Sequence, residues 1–149
     1  LNVYDKLPFR VIIDYAHNVH GLKSLCKLLN QLEVNGRRIL VMSARGDRSD
    51  DNIGDSASAV AGSFDYFICR DYTDLRGRNA GEVPRLLRAG LVKQGISTRQ
   101  IEILPDFSDA VGRSLSLAKE GDLLVILAMD SGKKAMDLLD SYRKTVCWK

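Results

Sequence analysis

Asp14, His17 and Asn18 follow directly on the apolar run Phe9 to Tyr15. An Asp at a strand end can accept hydrogen bonds from two ribose hydroxyls, and an imidazole beside it can lie against a base or sugar. The plainer alternative stays open: Asn18 is a type that caps helices, and His17 is then a satisfied surface side chain. A second polar cluster reads Ser43-Ala44-Arg45-Gly46-Asp47-Arg48-Ser49-Asp50-Asp51. Gly46 permits a sharp turn. Arg45 and Arg48 carry the planar fork that holds a carboxylate or phosphate at two points. Asp50 or Asp51 is read as the cap of the next helix, and a solvated loop is the alternative. The third cluster runs from Arg70 to Glu82 and includes Asp74, Arg76 and Arg78. It is long for a connection between a strand and a helix, and long polar loops in compact domains usually have a function. Its alternative is a charged flap without a ligand. In the fourth, Asp130-Ser131-Gly132-Lys133-Lys134, a helix start and two amines make a workable anion site, or else a plain Ser cap with solvated lysines.

The elements that must hold these clusters alternate regularly. Apolar, β-branched-rich runs predict strands at Phe9 to Tyr15, Arg38 to Ser43, Asp65 to Cys69, Gln100 to Leu104 and Leu123 to Met129. Asn2 to Asp5 is a further short edge strand. Between them, apolar residues recur at helical spacing: Leu22, Leu25, Cys26, Leu29 and Leu32 in Gly21 to Leu32; Ile53, Ala57, Val60 and Ala61 in Asp51 to Gly62. The same spacing marks Glu82 to Gln94, Phe107 to Ala118 and Ser131 to Tyr142. Asn35-Gly36 and Gly95 are read as helix stops. Alternating strands and helices mean βαβ units with right-handed crossovers, and near-continuous apolar strands mean a sheet covered on both faces. The expectation is a Rossmann-like three-layer α/β/α sandwich with a mostly parallel sheet of five or six strands. In such sheets ligands bind outside the carboxyl ends of the strands, where all four clusters fall.

Composition narrows the classes. The chain has 149 residues, which suits one domain spanning 1–149; 45% hydrophobic and 28% charged residues are ordinary for a globular protein. No apolar run approaches the roughly 18 residues of a membrane span. Residues Leu1 to Arg10 lack the pattern of a signal peptide, so a cytoplasmic location is expected. The missing initiator Met suggests a domain excised from a larger protein. A net charge of +3 is too small to argue for nucleic acid. Cys26, Cys69 and Cys147 lie far apart in or beside apolar segments and read as buried thiols, and no Cys/His spacing suggests zinc. The sequence contains no Walker loop, no Gly-x-Gly-x-x-Gly after the first strand and no Gly-x-Ser-x-Gly elbow. It has acids and arginines at strand ends but no triphosphate cradle of its own.

The stretch Val11 to Asn18, an apolar strand leading into Asp-Tyr-Ala-His-Asn, resembles the signature that opens the C-terminal domain of Mur ligases and folylpolyglutamate synthases. Gly46-Asp47-Arg48-Ser49-Asp50-Asp51-Asn52-Ile53, followed by a small-residue helix and Phe64-Asp65, looks like the cyanophycin synthetase group. So does Asp74-Leu75-Arg76-Gly77-Arg78 with Gly81-Glu82-Val83. The three stand in the family's order and cover most of the chain from Val3 to Ala128. The resemblance implies a parent enzyme whose central ATPase domain, absent from this chain, holds ATP with Mg2+ on a Walker loop. The C-terminal domain closes over that site. The reaction makes an acyl phosphate from a carboxylate and then an amide. In the cyanophycin synthetase group this half is associated with adding arginine to an aspartate side chain of a growing polymer.

Carried over by position, the resemblance makes Asp14, His17 and Asn18 nucleotide-binding. It makes Asp47, Arg48, Asp74, Arg76, Arg78 and Glu82 substrate-binding. It assigns no catalytic residue and no metal ligand. Two departures stand out: Val19 replaces the usual proline, and the family's Gly-Arg linker would fall just before Leu1. Lys133 lies where other members have a Gly-Lys loop. The implied partners are the central domain and an amino-acid or polymer substrate, with no nucleic acid and no membrane, and homo-oligomerisation left open. The isolated chain is expected to be inactive. The competing readings are another Mur-type or folylpolyglutamate-type ligase and a stand-alone, non-catalytic nucleotide-binding module.

Overall fold

A computed structural model of the chain describes residues 1–146. Strands β1 (Asn2–Tyr4), β2 (Arg10–Asp14), β3 (Arg38–Met42), β4 (Tyr66–Cys69), β5 (Ile101–Ile103) and β6 (Leu123–Leu127) form one sheet in the order β1-β2-β6-β3-β4-β5. Only β1 is antiparallel to its neighbour; the other pairings are parallel. The helices are α1 (Val19–Leu29), α2 (Asp50–Val60), α3 (Glu82–Lys93), α4 (Phe107–Leu117) and α5 (Gly132–Thr145). The expected mostly parallel α/β/α sandwich is therefore what forms.

Strand periodicity splits the apolar residues into two cores. Ile12, Leu40, Met42, Phe67, Val125 and Leu127 point to one face, where α1, α2 and α3 add Leu25, Leu29, Ile53, Ala57 and Leu87. Val11, Ile13, Ile39, Val41, Leu124 and Ile126 point to the other, against Phe107, Val111 and Leu115 of α4 and Ala135 and Leu139 of α5. The change of face follows from topology. From β2 to β5 the chain steps across the sheet in one direction, and α4 carries it back so that β6 enters between β2 and β3. With a constant crossover hand, reversing direction requires the helix to change sides.

Two local expectations need correction. Helix α1 ends at Leu29, well before Asn35-Gly36, and Arg38 closes it off, donating to the last helical carbonyl, Leu29 O, at 2.7 Å and to Leu32 O in the turn beyond at 2.8 Å. Gly36 instead allows a close backbone approach: its N–H donates to Gly121 O at 2.9 Å, and a Cβ there would collide with the Asp122 carboxylate. The cap of α2 is Ser49, which accepts from Asn52 N at 3.2 Å; Asp50 and Asp51 lie in the first turn. There they still favour the positive end of the helix dipole. Cys26 and Cys69 are buried and unpaired, as expected, while Cys147 lies outside the described residues. Among the described residues, no helix is long and apolar enough to cross a membrane.

Candidate functional site

Four loops leave the carboxyl ends of the central strands. They sit where β6, whose helix lies on one face, is flanked by β2 and β3, whose helices lie on the other. Such a switch of faces opens a crevice that connections do not cover.

The loop after β2 begins at Asp14. Its Oδ2 accepts from Ala16 N at 2.9 Å, and its side chain is 15% exposed. The His17 Nδ1 lies 3.2 Å from Tyr15 O. Because a carbonyl can only accept, this contact calls for the proton on Nδ1, the tautomer in which Nε2 faces outward as an acceptor. Asn18 caps α1, its Oδ1 accepting from Gly21 N at 2.8 Å. His17, Asn18, Val19 and His20 form one wall of a pocket of about 270 Å³, and Arg48, Asn52, Ile53 and Ser56 form the opposite side. The sequence signal did not point to Asn52 and Ser56, because they lie inside a helix and look like ordinary face residues.

The loops after β3 and β4 are fastened together. Gly46 is buried against Leu75 O, where a Cβ would clash. Arg78 Nε donates to Gly46 O at 2.8 Å, Nη2 donates to Arg48 O at 2.8 Å and pairs with Asp50 at 2.9 Å, and Nη1 bonds Glu82 at 2.6 Å. Four of its five N–H donors are thereby committed to the chain itself. Arg76 is different. Its side chain is 41% exposed, pairs with Asp47 at 3.0 Å and Asp74 at 3.3 Å, and its backbone holds φ at 51°, a conformation uncommon for a residue with a side chain. Asp47 also pairs with Arg45 at 2.9 Å, and that hydrogen bond holds its carboxyl below the usual range.

A fully buried guanidinium that the sequence did not single out lies beneath these loops. Arg70, the residue after β4, donates to Leu127 O at 2.7 Å and Asp71 O at 2.9 Å, and forks onto Asp130 at 2.9 and 3.2 Å. The Phe107 ring lies 4.5 Å from it. A residue type normally at the surface, placed at the end of an apolar strand, gives no periodic signal of its own. Asp130 leads into α5, whose N-terminus has no side-chain cap hydrogen bond. Thr73, Asp130, Ser131, Gly132, Lys133 and Lys134 line an open pocket of about 480 Å³ there.

The Mur ligase, glutamate ligase domain matches residues 1–129, a span that takes in the loops after β2, β3 and β4 and ends just before Asp130. The chain belongs to the Mur ligase family. Cyanophycin synthetase from Geminocystis herdmanii (strain PCC 6308) is 29% identical over 142 residues, 95% of this chain but 16% of that protein. UDP-N-acetylmuramoyl-L-alanyl-D-glutamate–2,6-diaminopimelate ligase from Caldanaerobacter subterraneus subsp. tengcongensis (strain DSM 15242 / JCM 11007 / NBRC 100824 / MB4) is 31% identical over 118 residues, 79% of this chain and 23% of that protein. Among solved structures, Mycobacterium tuberculosis folylpolyglutamate synthase complexed with ADP superposes with a TM-score of 0.73 at 18% identity, covering 93% of this chain and 31% of that one. The Mur ligase chain thus has the fold of one domain of much longer ligases.

Proposed function

We propose that this chain is the C-terminal domain of an ATP-dependent carboxylate–amine ligase of the cyanophycin synthetase kind, working in the cytoplasm and closing over nucleotide and amino-acid substrate. The observation that carries the reading is the pocket between the first turns of α1 and α2. There His17 and Asn18 face Arg48, and Asp14 stands at the adjoining strand end. These groups suit a base and ribose: an imidazole acceptor, a carboxylate and a guanidinium. They do not make a phosphate cradle, so ATP and its Mg2+ would be held mainly by a central domain of the same protein. Arg48, whose side chain lines the pocket, is the cation here that would meet an anionic edge of the nucleotide or substrate.

The amine donor is placed at the loop after β4 and the start of α5. Asp74, at 75% side-chain exposure, and Asp47 already hold the Arg76 guanidinium. An incoming guanidinium would take Asp74 and Asp47 by exchanging with Arg76, which would then be free for a carboxylate. Glu82 and Arg78 are satisfied by each other and by the neighbouring loop, so their part in substrate binding is to shape that loop. Ser131 and Lys133 at the uncapped start of α5 would suit a carboxylate.

Titration of ATP into the isolated chain should give a dissociation constant weaker than about 1 µM, because edge contacts alone are present. In the full ligase, a panel of arginine, diaminopimelate and glutamate with matched acceptors should show ATP-dependent amide formation with arginine. Turnover with diaminopimelate alone would instead favour a ligase of the peptidoglycan-precursor kind, a reading supported by the 31% identity to one such enzyme.

A further inference from the structure

Arg70 touches neither pocket, yet it joins the two segments to which the amine donor is assigned. Its guanidinium is held from four sides by Asp130, Leu127 O, Asp71 O and the Phe107 ring. Asp130 is shared: while forked by Arg70, its Oδ2 also accepts from Thr73 N at 2.9 Å. The chain from Arg70 through Asp130 to Thr73 therefore ties the start of the loop after β4 to the residue that leads into α5. The far end of that loop is fixed separately, where Asp71 Oδ2 accepts from Gly81 N at 2.7 Å. Both walls of the pocket at α5, Thr73 on one side and Ser131 to Lys134 on the other, meet at Asp130, whose carboxylate the buried Arg70 guanidinium grips.

We propose that Arg70 is a positioning residue for the amine donor, acting through Asp130 to set the gap between Thr73 and the start of α5. This inference rests on the assignment of the donor to that pocket. Arg70 is fully buried, so it reaches no ligand directly. Lys cannot replace it, because a single ammonium cannot fork onto Asp130 while also meeting Leu127 O and Asp71 O. The nucleotide pocket lies across β3 and is bordered by none of these residues. Loss of Arg70 should therefore raise the donor requirement and leave the nucleotide requirement alone.

The test compares Arg70→Lys and Arg70→Met with Leu139→Ala, a core substitution in α5 that controls for lost stability. Hydrogen exchange on the isolated chain should show Thr73 opening about tenfold faster or more in both Arg70 variants, beyond any change in global stability, and not in Leu139→Ala. Initial rates in the full ligase, varying donor and ATP separately, should show the donor KM rising about tenfold in Arg70→Lys, with the ATP KM within about twofold. Unchanged protection at Thr73 in both Arg70 variants would overturn the proposal. So would an equal rise in both KM values, or the same donor effect in Leu139→Ala. If the unaltered ligase joins no amino acid at all, the functional reading falls, and the Thr73 exchange result still decides whether Arg70 couples the two walls.

Discussion

Burial pushes the Asp130 carboxyl up, but the Arg70 hydrogen bond and charge, with the Thr73 amide, outweigh it and hold the group below the usual carboxylate range. The unfolded chain then takes up the proton first as pH falls. The contribution to stability is full above the unfolded value of about 4 and is lost as pH drops through the folded one. Urea midpoints from pH 6 to pH 2 should fall for the natural chain, and Asp130→Asn should flatten part of that acid limb; parallel curves would contradict the assignment. Cys69 behaves oppositely. Burial pushes its thiol up to about 12, against a lowering by the Arg88 charge. Its contribution is present below the ordinary thiol value of about 8.5 and lost as pH rises toward the folded one. Because the thiolate is the reactive form, a thiol reagent at pH 8 should leave Cys69 unmodified until the protein unfolds. Asp14 is the residue whose loss should show in turnover more than in folding. Its Asp14→Ala variant in the full ligase is expected to lose about 2–4 kcal/mol of transition-state stabilisation, with an unfolding midpoint close to normal. Normal turnover would reduce Asp14 to the turn bond it makes with Ala16.

At the scale of elements, the loops after β3 and β4 behave as one body because Arg78 bonds two carbonyls of its neighbour and Gly46 lies flush against Leu75. Arg78→Lys would leave Gly46 O and Arg48 O without their partner. It should cost about 1–2 kcal/mol in chemical denaturation. Arg76→Lys, whose ion pairs are half-exposed, should change stability by under about 1 kcal/mol. Equal losses in the two would mean that the Arg78 staple is not formed. This division was not legible in the sequence. Arg76 and Arg78 stand two positions apart in the same motif, and only the fold decides which of them meets carbonyls and which meets solvent. The strands and helices were legible, because alternation and 3.6-residue spacing are local properties. The caps were partly so: Asn18 caps α1 as the plainer of its two readings had it, whereas Ser49 was passed over for the aspartates beside it. The glycines follow the same rule. Gly95, with φ of 92°, ends α3 as read, while Gly36 matters for a contact with a residue far along the chain.

For the whole molecule, the two complete cores and the missing triphosphate loop lead to the same expectation. The chain alone should unfold in one cooperative step and should not consume ATP with arginine and an acceptor primer. Amide formation by the purified chain would refute that division of labour. The α/β/α layering was legible from the alternation of elements, but the order of strands was not. β2, β3 and β6 share apolar centres and equal length, and nothing in those centres says which pair lie side by side. The order found has a consequence for how the protein is made. Among the described residues, β6 comes after the other five strands in sequence, yet it is the only neighbour β2 has apart from β1, and it joins β2 to β3. Until it leaves the ribosome, the nascent chain holds two separate ribbons with unpaired apolar edges, a state that attracts chaperones and invites aggregation. The sheet thus closes only when this strand arrives, and a chain stalled before Leu123 should remain protease-sensitive however long it is given to fold.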